Sequence, residues 1–253
     1  MHYGLIYYSF RETGTRRNDI IDLLLDEIKK IGDDKTENGL KKEDIDVELA
    51  VISNAIIFFF AGFDTSSLTL ATVIFSFLDK PAIQDRARQE IEDVVGDSKV
   101  ITSDHLRDLK YLENVINEAL RYYGLMNNTM RLCTKDYKIP DADFTIKKGM
   151  QVNVLTGCLA EECFFNPAEL DPDNFDIKNN PNKIGFAGFG IGPRNCIGMR
   201  YAYIALKLAL VKTITKYKVV KCEKTVDKLE FDISKNYFNG GVMFKVERLE
   251  KEE

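Results

Sequence analysis

One cysteine stands in a glycine-rich segment whose residue types suit the binding of a large, flat group. The segment reads Phe189-Gly190-Ile191-Gly192-Pro193-Arg194-Asn195-Cys196-Ile197-Gly198 and runs into a helical pattern. Glycines let the backbone approach a flat group closely, and the N–H groups at a helix start stabilise a thiolate. Arg194 adds a permanent cation beside Cys196. The combination predicts a thiolate ligand to haem iron.

Two other interpretations of this segment stay open on its residues alone. Cys196 is equally consistent with a buried structural cysteine. A phosphate-binding loop is disfavoured, because Asn195 stands where a dinucleotide fingerprint needs Gly or Ala. No predicted strand precedes the segment and no Gly-Lys-Ser/Thr follows it, so the nucleotide-binding hypothesis ranks last.

The composition is that of an ordinary folded soluble domain. The 253 residues are 45% hydrophobic and 30% charged, with a formal net charge of −5, so no basic excess indicates a nucleic-acid partner. Two histidines and five cysteines without a C-x-x-C pair argue against His-built catalytic sites, zinc sites and a disulfide framework. We therefore expect reduced thiols. No uncharged apolar run of about 18 residues predicts a membrane span, and no signal peptide is predicted.

The pattern of apolar residues predicts a helix-dominated α+β fold with small sheets late in the chain. Helices are predicted over 18–31, from Asp44 or Asp46 to Leu78, from Pro81 to Gly96, over 109–123 with Gly124 as the stop, and over 197–217. Alternation predicts strands near 137–139, 144–146, 150–154, 229–233 and 242–246. Within the second helix, Ala55 to Phe63 is apolar nearly all round, which predicts burial.

Two polar pairs stand on these helices. Asp64 and Thr65 end the segment Ala-Gly-Phe-Asp-Thr inside the apolar helix, where an unpaired carboxylate is costly. The alternative is a solvated Asp64 beside a Thr65 hydroxyl bonded to its own helix. Glu118 and Arg121 are helix neighbours. Angular counting places this second pair opposite the apolar stripe of its helix, which predicts an exposed salt bridge of small energy.

These segments, in this order, resemble the cytochrome P-450 family of haem-thiolate monooxygenases. The haem-binding pattern of the family is matched at Phe189, Gly192, Arg194, Cys196 and Gly198. The resemblance implies that Cys196 is the axial iron ligand, that Arg194 contacts a haem propionate, and that Phe189 shields the sulfur.

The other matching segments carry further implied roles. Asp64 and Thr65 would manage protons during catalysis, and Arg131 would reach the second propionate. Glu118 and Arg121 match the Glu-x-x-Arg pair, which the resemblance places in a buried position that holds the haem-side core. The sequence departs from the usual pattern of the family at three places: it has Asn174 in place of Arg, Gly124-Leu125 in place of a double proline, and Gly188 in place of Pro.

The resemblance also implies a reaction and its partners. An NADPH-dependent flavoprotein reductase would supply electrons, and one oxygen atom of O₂ would enter an apolar small molecule. Substrate would contact the regions 60–64, 125–129 and 237–241. The neighbourhood of Arg131 resembles microsomal detoxifying members of animals, arthropod ones above all. Such proteins work at the cytosolic face of the endoplasmic reticulum through an N-terminal anchor, and no such anchor is predicted within these 253 residues.

The resemblance spans about residues 18–246 of a partial domain, 1–253, and leaves 1–17 and 247–253 as terminal segments. It corresponds to the C-terminal half of the family's fold. We therefore expect the chain alone to fold poorly or to bind haem weakly, because an element that loses its packing partner exposes an apolar face. The alternative function is a non-catalytic remnant, or an interaction partner, that binds haem weakly or not at all.

Overall fold

The computed structural model of the chain describes two units separately, Met1–Thr65 and Ser66–Glu253. The described residues are 19–20, 22–24, 26, 47–124, 128–155, 163–164, 166–176, 178, 185–232 and 237–249. The boundary between the units falls within the first fully described helix, α1 (Val47–Asp79). Helix-dominated architecture with small antiparallel sheets confirms the predicted fold class.

In the first unit, the predicted burial of Ala55 to Phe63 is wrong. Ile57, Phe59, Phe60 and Phe63 are 51–63% exposed. An apolar side chain becomes buried only where another element packs on it. The apolar composition of a helix therefore shows that the helix can be buried, but it does not show that a covering element is present. The predicted 18–31 helix is helical at its described residues 20, 22–24 and 26, and the candidate caps Asp44 and Asp46 lie outside the described residues.

One stretch within the described residues, Ile52–Asp79 of α1, is long and apolar enough to cross a membrane by length and composition. A buried core helix of a soluble protein satisfies the same criterion. In the second unit the end of α1 is indeed a core element, since Val73 and Phe77 are fully buried.

The core of the second unit is built from four further helices. They are α2 (Pro81–Val95), α3 (Ser103–Asp108), α4 (Lys110–Tyr123) and α5 (Met199–Ile214). The predicted signals hold, because Pro81 is the first residue of α2, Gly96 caps its end, and Gly124 follows α4 in the left-handed conformation. Buried apolar residues of α2, α4 and α5 form one cluster with the end of α1.

A side chain of α2 fixes the start of α4. The Glu90 carboxylate of α2 accepts hydrogen bonds from the backbone N–H groups of Tyr111 and Leu112, at 2.6 and 2.8 Å. A carboxylate there satisfies donors that a helix start leaves unpaired and complements the positive end of the α4 dipole. Helix α4 is thereby set against α2.

Four two-stranded antiparallel sheets occur among the described residues. Strand β1 (Asn128–Leu132) pairs with β4 (Gln151–Leu155), and β2 (Tyr137–Lys138) pairs with β3 (Thr145–Ile146). Strand β5 (Tyr217–Val220) pairs with β8 (Lys245–Arg248), and β6 (Phe231–Asp232) with β7 (Tyr237–Phe238).

The predicted bounds of two elements need correction. The helix predicted over 197–217 ends at Ile214, and Tyr217 begins β5. Val219 of this strand is buried, and its N–H and C=O both bond to the side chain of Gln84, at 2.8 and 2.9 Å. The strand predicted near 242–246 begins only at Lys245, as β8, and it pairs with β5. Both outcomes depend on partners that are distant in sequence.

Candidate active site around Cys196

The glycine-rich segment folds as a tight loop that ends at the first turn of α5. Backbone hydrogen bonds cross it from Cys196 N–H to Phe189 O at 2.7 Å and from Asn195 N–H to Gly192 O at 3.0 Å. Gly192 has φ +82°, a left-handed conformation that L side chains rarely adopt, and the space beside its Cα is open. The loop therefore brings Phe189, Gly192 and Cys196 together.

The Cys196 thiol is exposed at the N-terminal end of α5. Gly198 lies beside it, since a Cβ at that position would stand 3.9 Å from Sγ. Ile191 and Ile197 are 70% and 88% exposed. The alternative of a buried structural cysteine is therefore wrong. A thiol at a helix start, flanked by uncovered apolar side chains, suits coordination of the iron of a large apolar macrocycle.

Arg194 and Arg131 are the two residues predicted to contact the haem propionates. Arg194 ends a short 3₁₀ turn, Gly192–Arg194, and is exposed. Arg131 lies on β1, exposed, and its Nη1 donates to Thr129 Oγ1 and to the Met130 carbonyl, both at 2.8 Å. Guanidinium groups bind carboxylates through charge-assisted hydrogen bonds. The donor set of thiol, cations and apolar side chains fits a haem.

Asp64 and Thr65 belong to the first unit and are described there by themselves. Thr65 is exposed and its hydroxyl donates to the Ala61 carbonyl one turn earlier, the back-bonded arrangement expected for a threonine within a helix. Such a hydroxyl retains acceptor lone pairs. Gly62 leaves open space where a Cβ would stand, so a ligand meets no side chain there.

Glu118 and Arg121 form a buried ion pair, and the exposed salt bridge expected from angular counting is wrong. Their side chains are 0% and 4% exposed, with two hydrogen bonds of 2.7 Å between guanidinium and carboxylate. Arg121 also donates to the carbonyl oxygens of Pro167 and Glu169, each at 2.8 Å. The loop that carries these carbonyls covers the face of α4 opposite its apolar stripe. Angular counting considers the residues of one helix only, so it does not predict the loop that covers this face.

The Glu118 carboxylate gathers donors from three directions. Besides Arg121, it accepts from the backbone N–H of Asp171 at 2.7 Å and from Asn174 Nδ2 at 3.2 Å. Burial raises the pKa of Glu118, and the hydrogen bonds from Arg121, Asp171 and Asn174 oppose that rise. Asn174 therefore occupies a network position as a neutral donor.

Gly188, which stands where the family usually has Pro, is explained by its neighbour. A Cβ at position 188 would stand 2.6 Å from the Phe186 ring. That ring packs edge-on against Phe175, with centroids 4.9 Å apart, and Phe175 contacts Phe164 at 5.1 Å. The missing side chain at 188 thus gives Phe186 the space to join an aromatic cluster with Phe175 and Phe164.

Four residues that the sequence prediction missed join α4 to α5. Tyr203 Oη donates to Asn117 Oδ1 at 2.6 Å, and Lys207 Nζ contacts Glu113 Oε2 at 2.8 Å. Burial raises the pKa of the Tyr203 phenol, and the Glu113 carboxylate adds to the rise. The available signal was the spacing of four residues between Glu113 and Asn117 and between Tyr203 and Lys207, which places both polar residues of a helix on one face.

Comparison with known proteins gives a consistent set of matches. The family described as "Cytochrome P450" matches residues 6–240. Cytochrome P450 6a9 of Drosophila melanogaster is 35% identical over 253 residues, which cover 95% of this chain and 49% of the relative. Probable cytochrome P450 6w1 and cytochrome P450 6a2, both from the same fly, are 32% and 33% identical and cover 87% and 92% of this chain. The chain spans about half the length of these arthropod relatives.

Proposed function

Because this chain belongs to the cytochrome P450 family, we propose that it is the haem-holding half of a monooxygenase. The observation that carries the proposal is the exposed Cys196 thiol at the start of α5, in a loop whose backbone is closed by the bond between Cys196 and Phe189. When bound, the haem supplies the redox chemistry of O₂, and a thiolate ligand increases the electron density on its iron.

In the proposed reaction, the residues of this chain hold the haem and orient it. Cys196 binds the iron. Gly192 and Gly198 carry no side chain, which lets the macrocycle approach the loop backbone. Phe189 shields the sulfur from water. Arg131 and Arg194 bind the two propionates, and the bonds from Arg131 to Thr129 and Met130 limit its conformations before haem arrives.

Proton movement is assigned to α1. The Thr65 hydroxyl, held to the Ala61 carbonyl, offers its oxygen as an acceptor, and Asp64 is the adjacent group that exchanges protons with water. In the full reaction one oxygen atom enters an apolar small molecule and the other leaves as water. The two electrons come from an NADPH-dependent flavoprotein reductase. We place the reaction at the cytosolic face of the endoplasmic reticulum.

The proposal is tested by the ligand that the sulfur provides. The chain is loaded with haem, reduced and treated with carbon monoxide, and the absorption difference spectrum is recorded for wild type, Cys196→Ser and Cys222→Ser. Wild type and Cys222→Ser are expected to show the red-shifted Soret band of a thiolate complex, and Cys196→Ser to lose it. A neutral-ligand band in wild type, or an unchanged band in Cys196→Ser, contradicts the proposal.

The exposed apolar face of α1 favours one second candidate, a non-catalytic remnant or interaction partner that binds haem weakly or not at all. Phe59, Phe60 and Phe63 lie in the helix that carries Asp64, and all three are more than half exposed. Product formation with added reductase and NADPH separates the two functions, because only the monooxygenase oxidises a substrate.

A further inference from the structure

Resting on the proposed role of Cys196, we propose that Tyr203 is a positioning residue for the sulfur ligand. Its hydroxyl is held by Asn117 of α4, and its ring braces Phe189, whose carbonyl accepts the Cys196 amide hydrogen. Tyr203 does not touch the iron and acts through the loop backbone.

Three contacts link α4 to Cys196. Tyr203 Oη lies 2.6 Å from Asn117 Oδ1. The rings of Tyr203 and Phe189 have centroids 5.0 Å apart at an interplanar angle of 49°. Phe189 O lies 2.7 Å from the Cys196 nitrogen. Together these contacts form a continuous path from the core helix α4 to Cys196.

The anchor at the far end of this path is rigid. Asn117 is 1% exposed on α4. One turn away the Lys207 ammonium, on a residue 2% exposed, bonds both the Glu113 carboxylate and the Leu106 carbonyl, at 2.8 and 2.9 Å. The two ties run in opposite directions along the helices, so α4 and α5 are antiparallel where they meet. Sliding of α5 would break both ties at once.

The other end of the path needs such a brace. Cys196 and the adjacent Ile197 are exposed, so among the described residues packing does not fix the thiol directly. Its place then depends on the loop backbone and on the ring of Phe189. A phenylalanine at 203 would fill the apolar space equally well, whereas the partly buried tyrosine hydroxyl is held to Asn117 because leaving such a hydroxyl without a partner is costly. The hydroxyl thus fixes the orientation of the ring.

The first measurement uses the chain without haem. Amide hydrogen exchange is followed at Cys196 and, as a remote reference, at Gly96, whose N–H bonds to the Glu92 carbonyl at 3.0 Å. Tyr203→Phe keeps the ring and loses the tie to Asn117, so exchange at Cys196 is expected to rise about fivefold while Gly96 is unchanged. Tyr203→Leu is expected to raise it further. Tyr201→Phe, at a residue 68% exposed on the same helix, is the matched control and leaves both amides unchanged.

The second measurement uses the haem-loaded chain, reduced and treated with carbon monoxide. Tyr203→Phe is expected to lower the share of thiolate-type absorption relative to the neutral-ligand band, with a larger loss in Tyr203→Leu and none in Tyr201→Phe. Variants that match wild type in exchange at Cys196 overturn the proposal, as does equal acceleration at Cys196 and Gly96, which marks a global structural effect. A wild type without a thiolate band overturns the proposed function instead, and the exchange result still decides whether Tyr203 holds the loop.

Discussion

Asn174 Nδ2 donates to the Glu118 carboxylate across 3.2 Å, and both side chains are buried. The network around Glu118 therefore joins one cation, one carboxylate and neutral donors, and its formal charges cancel. Asn174 lies in the 3₁₀ segment Pro172–Phe175, while Glu118 lies on α4. The departure from the Arg common in this family gives a different donor at the same position of the network.

Asn174→Asp is expected to destabilise the chain more than Asn174→Ala. Loss of one hydrogen bond to a charged group costs about 1.5–3 kcal/mol, whereas aspartate adds a second buried carboxylate that repels the first. Urea unfolding of both variants measures the difference, with the exposed Asn153→Ala as control. An aspartate variant as stable as the alanine variant would refute this account.

Arg121→Met is expected to lower the free energy of unfolding by about 3–5 kcal/mol at neutral pH, because it leaves the Glu118 carboxylate without its cation. Burial already raises the pKa of Glu118 above its ordinary 4.5, and removal of Arg121 raises it further. Below pH 4.5 the Glu118 carboxyl is protonated and the variant keeps this part of its stability. As the pH rises through the raised pKa, the carboxyl ionises in its buried site and this stability is lost. Urea unfolding between pH 4.5 and pH 8 measures this slope.

The control for that slope is the double variant Glu118→Gln/Arg121→Met. Glutamine carries no titrating proton, so the additional pH dependence of Arg121→Met is expected to vanish and part of the neutral-pH stability to return. A double variant with the same slope as Arg121→Met would show that another group is responsible.

Gly188→Ala and Gly192→Ala are expected to destabilise the loop for different reasons. At 188 the new methyl displaces the Phe186 ring from Phe175, an overpacking cost of about 1–3 kcal/mol. At 192 the space is open, and the cost of about 1–2 kcal/mol comes from the backbone at φ +82°. Thermal unfolding of each variant with and without Phe186→Ala separates them, because the second substitution relieves only the clash at 188. Equal relief at both positions would contradict the distinction.

Phe60→Lys is expected to reduce self-association of the chain without lowering its free energy of unfolding. Phe60 is 58% exposed, and contiguous exposed apolar side chains favour association. Size-exclusion chromatography with light scattering measures association, and urea unfolding measures stability. Phe77→Lys, at a residue 0% exposed, is the matched control and is expected to unfold the chain. If Phe60→Lys associates as strongly as wild type, the exposed face of α1 is not the contact surface.

Much of the fold follows from local signals. Pro81 and Gly96 bound α2 because proline fits the first turn of a helix and glycine its end. The loop from Phe189 to Gly198 was predictable for the same reason, since its chemistry lies in adjacent residues. The exposure of the Cys196 thiol and its bond to Phe189 were not, because they depend on how the loop folds back on itself.

The remaining features depend on partners far away in sequence. The burial of Glu118 and Arg121 results from the loop at Pro167 to Asn174, which no periodicity of α4 can reveal. The helical pattern over 197–217 runs into the first residue of β5, and no pattern predicts this strand, because its pairing with β8 and its bonds to Gln84 lie outside any local window. Tyr203 was missed because a tyrosine within an apolar helix is most often a core residue, and only its contacts with Asn117 and Phe189 distinguish it.

The two bonds between Gln84 and Val219 close a loop of 135 residues. Arg88 Nε donates to the Ile214 carbonyl at 2.9 Å and closes a second loop of similar length. Such contacts form late, because the entropy of a long loop must be lost before they contribute. During synthesis α2 and α4 leave the ribosome well before β5, with their shared core incomplete. The second unit thus completes its core only after β5 has been synthesised, and a nascent chain stopped before Val219 exposes apolar surface that this strand later covers.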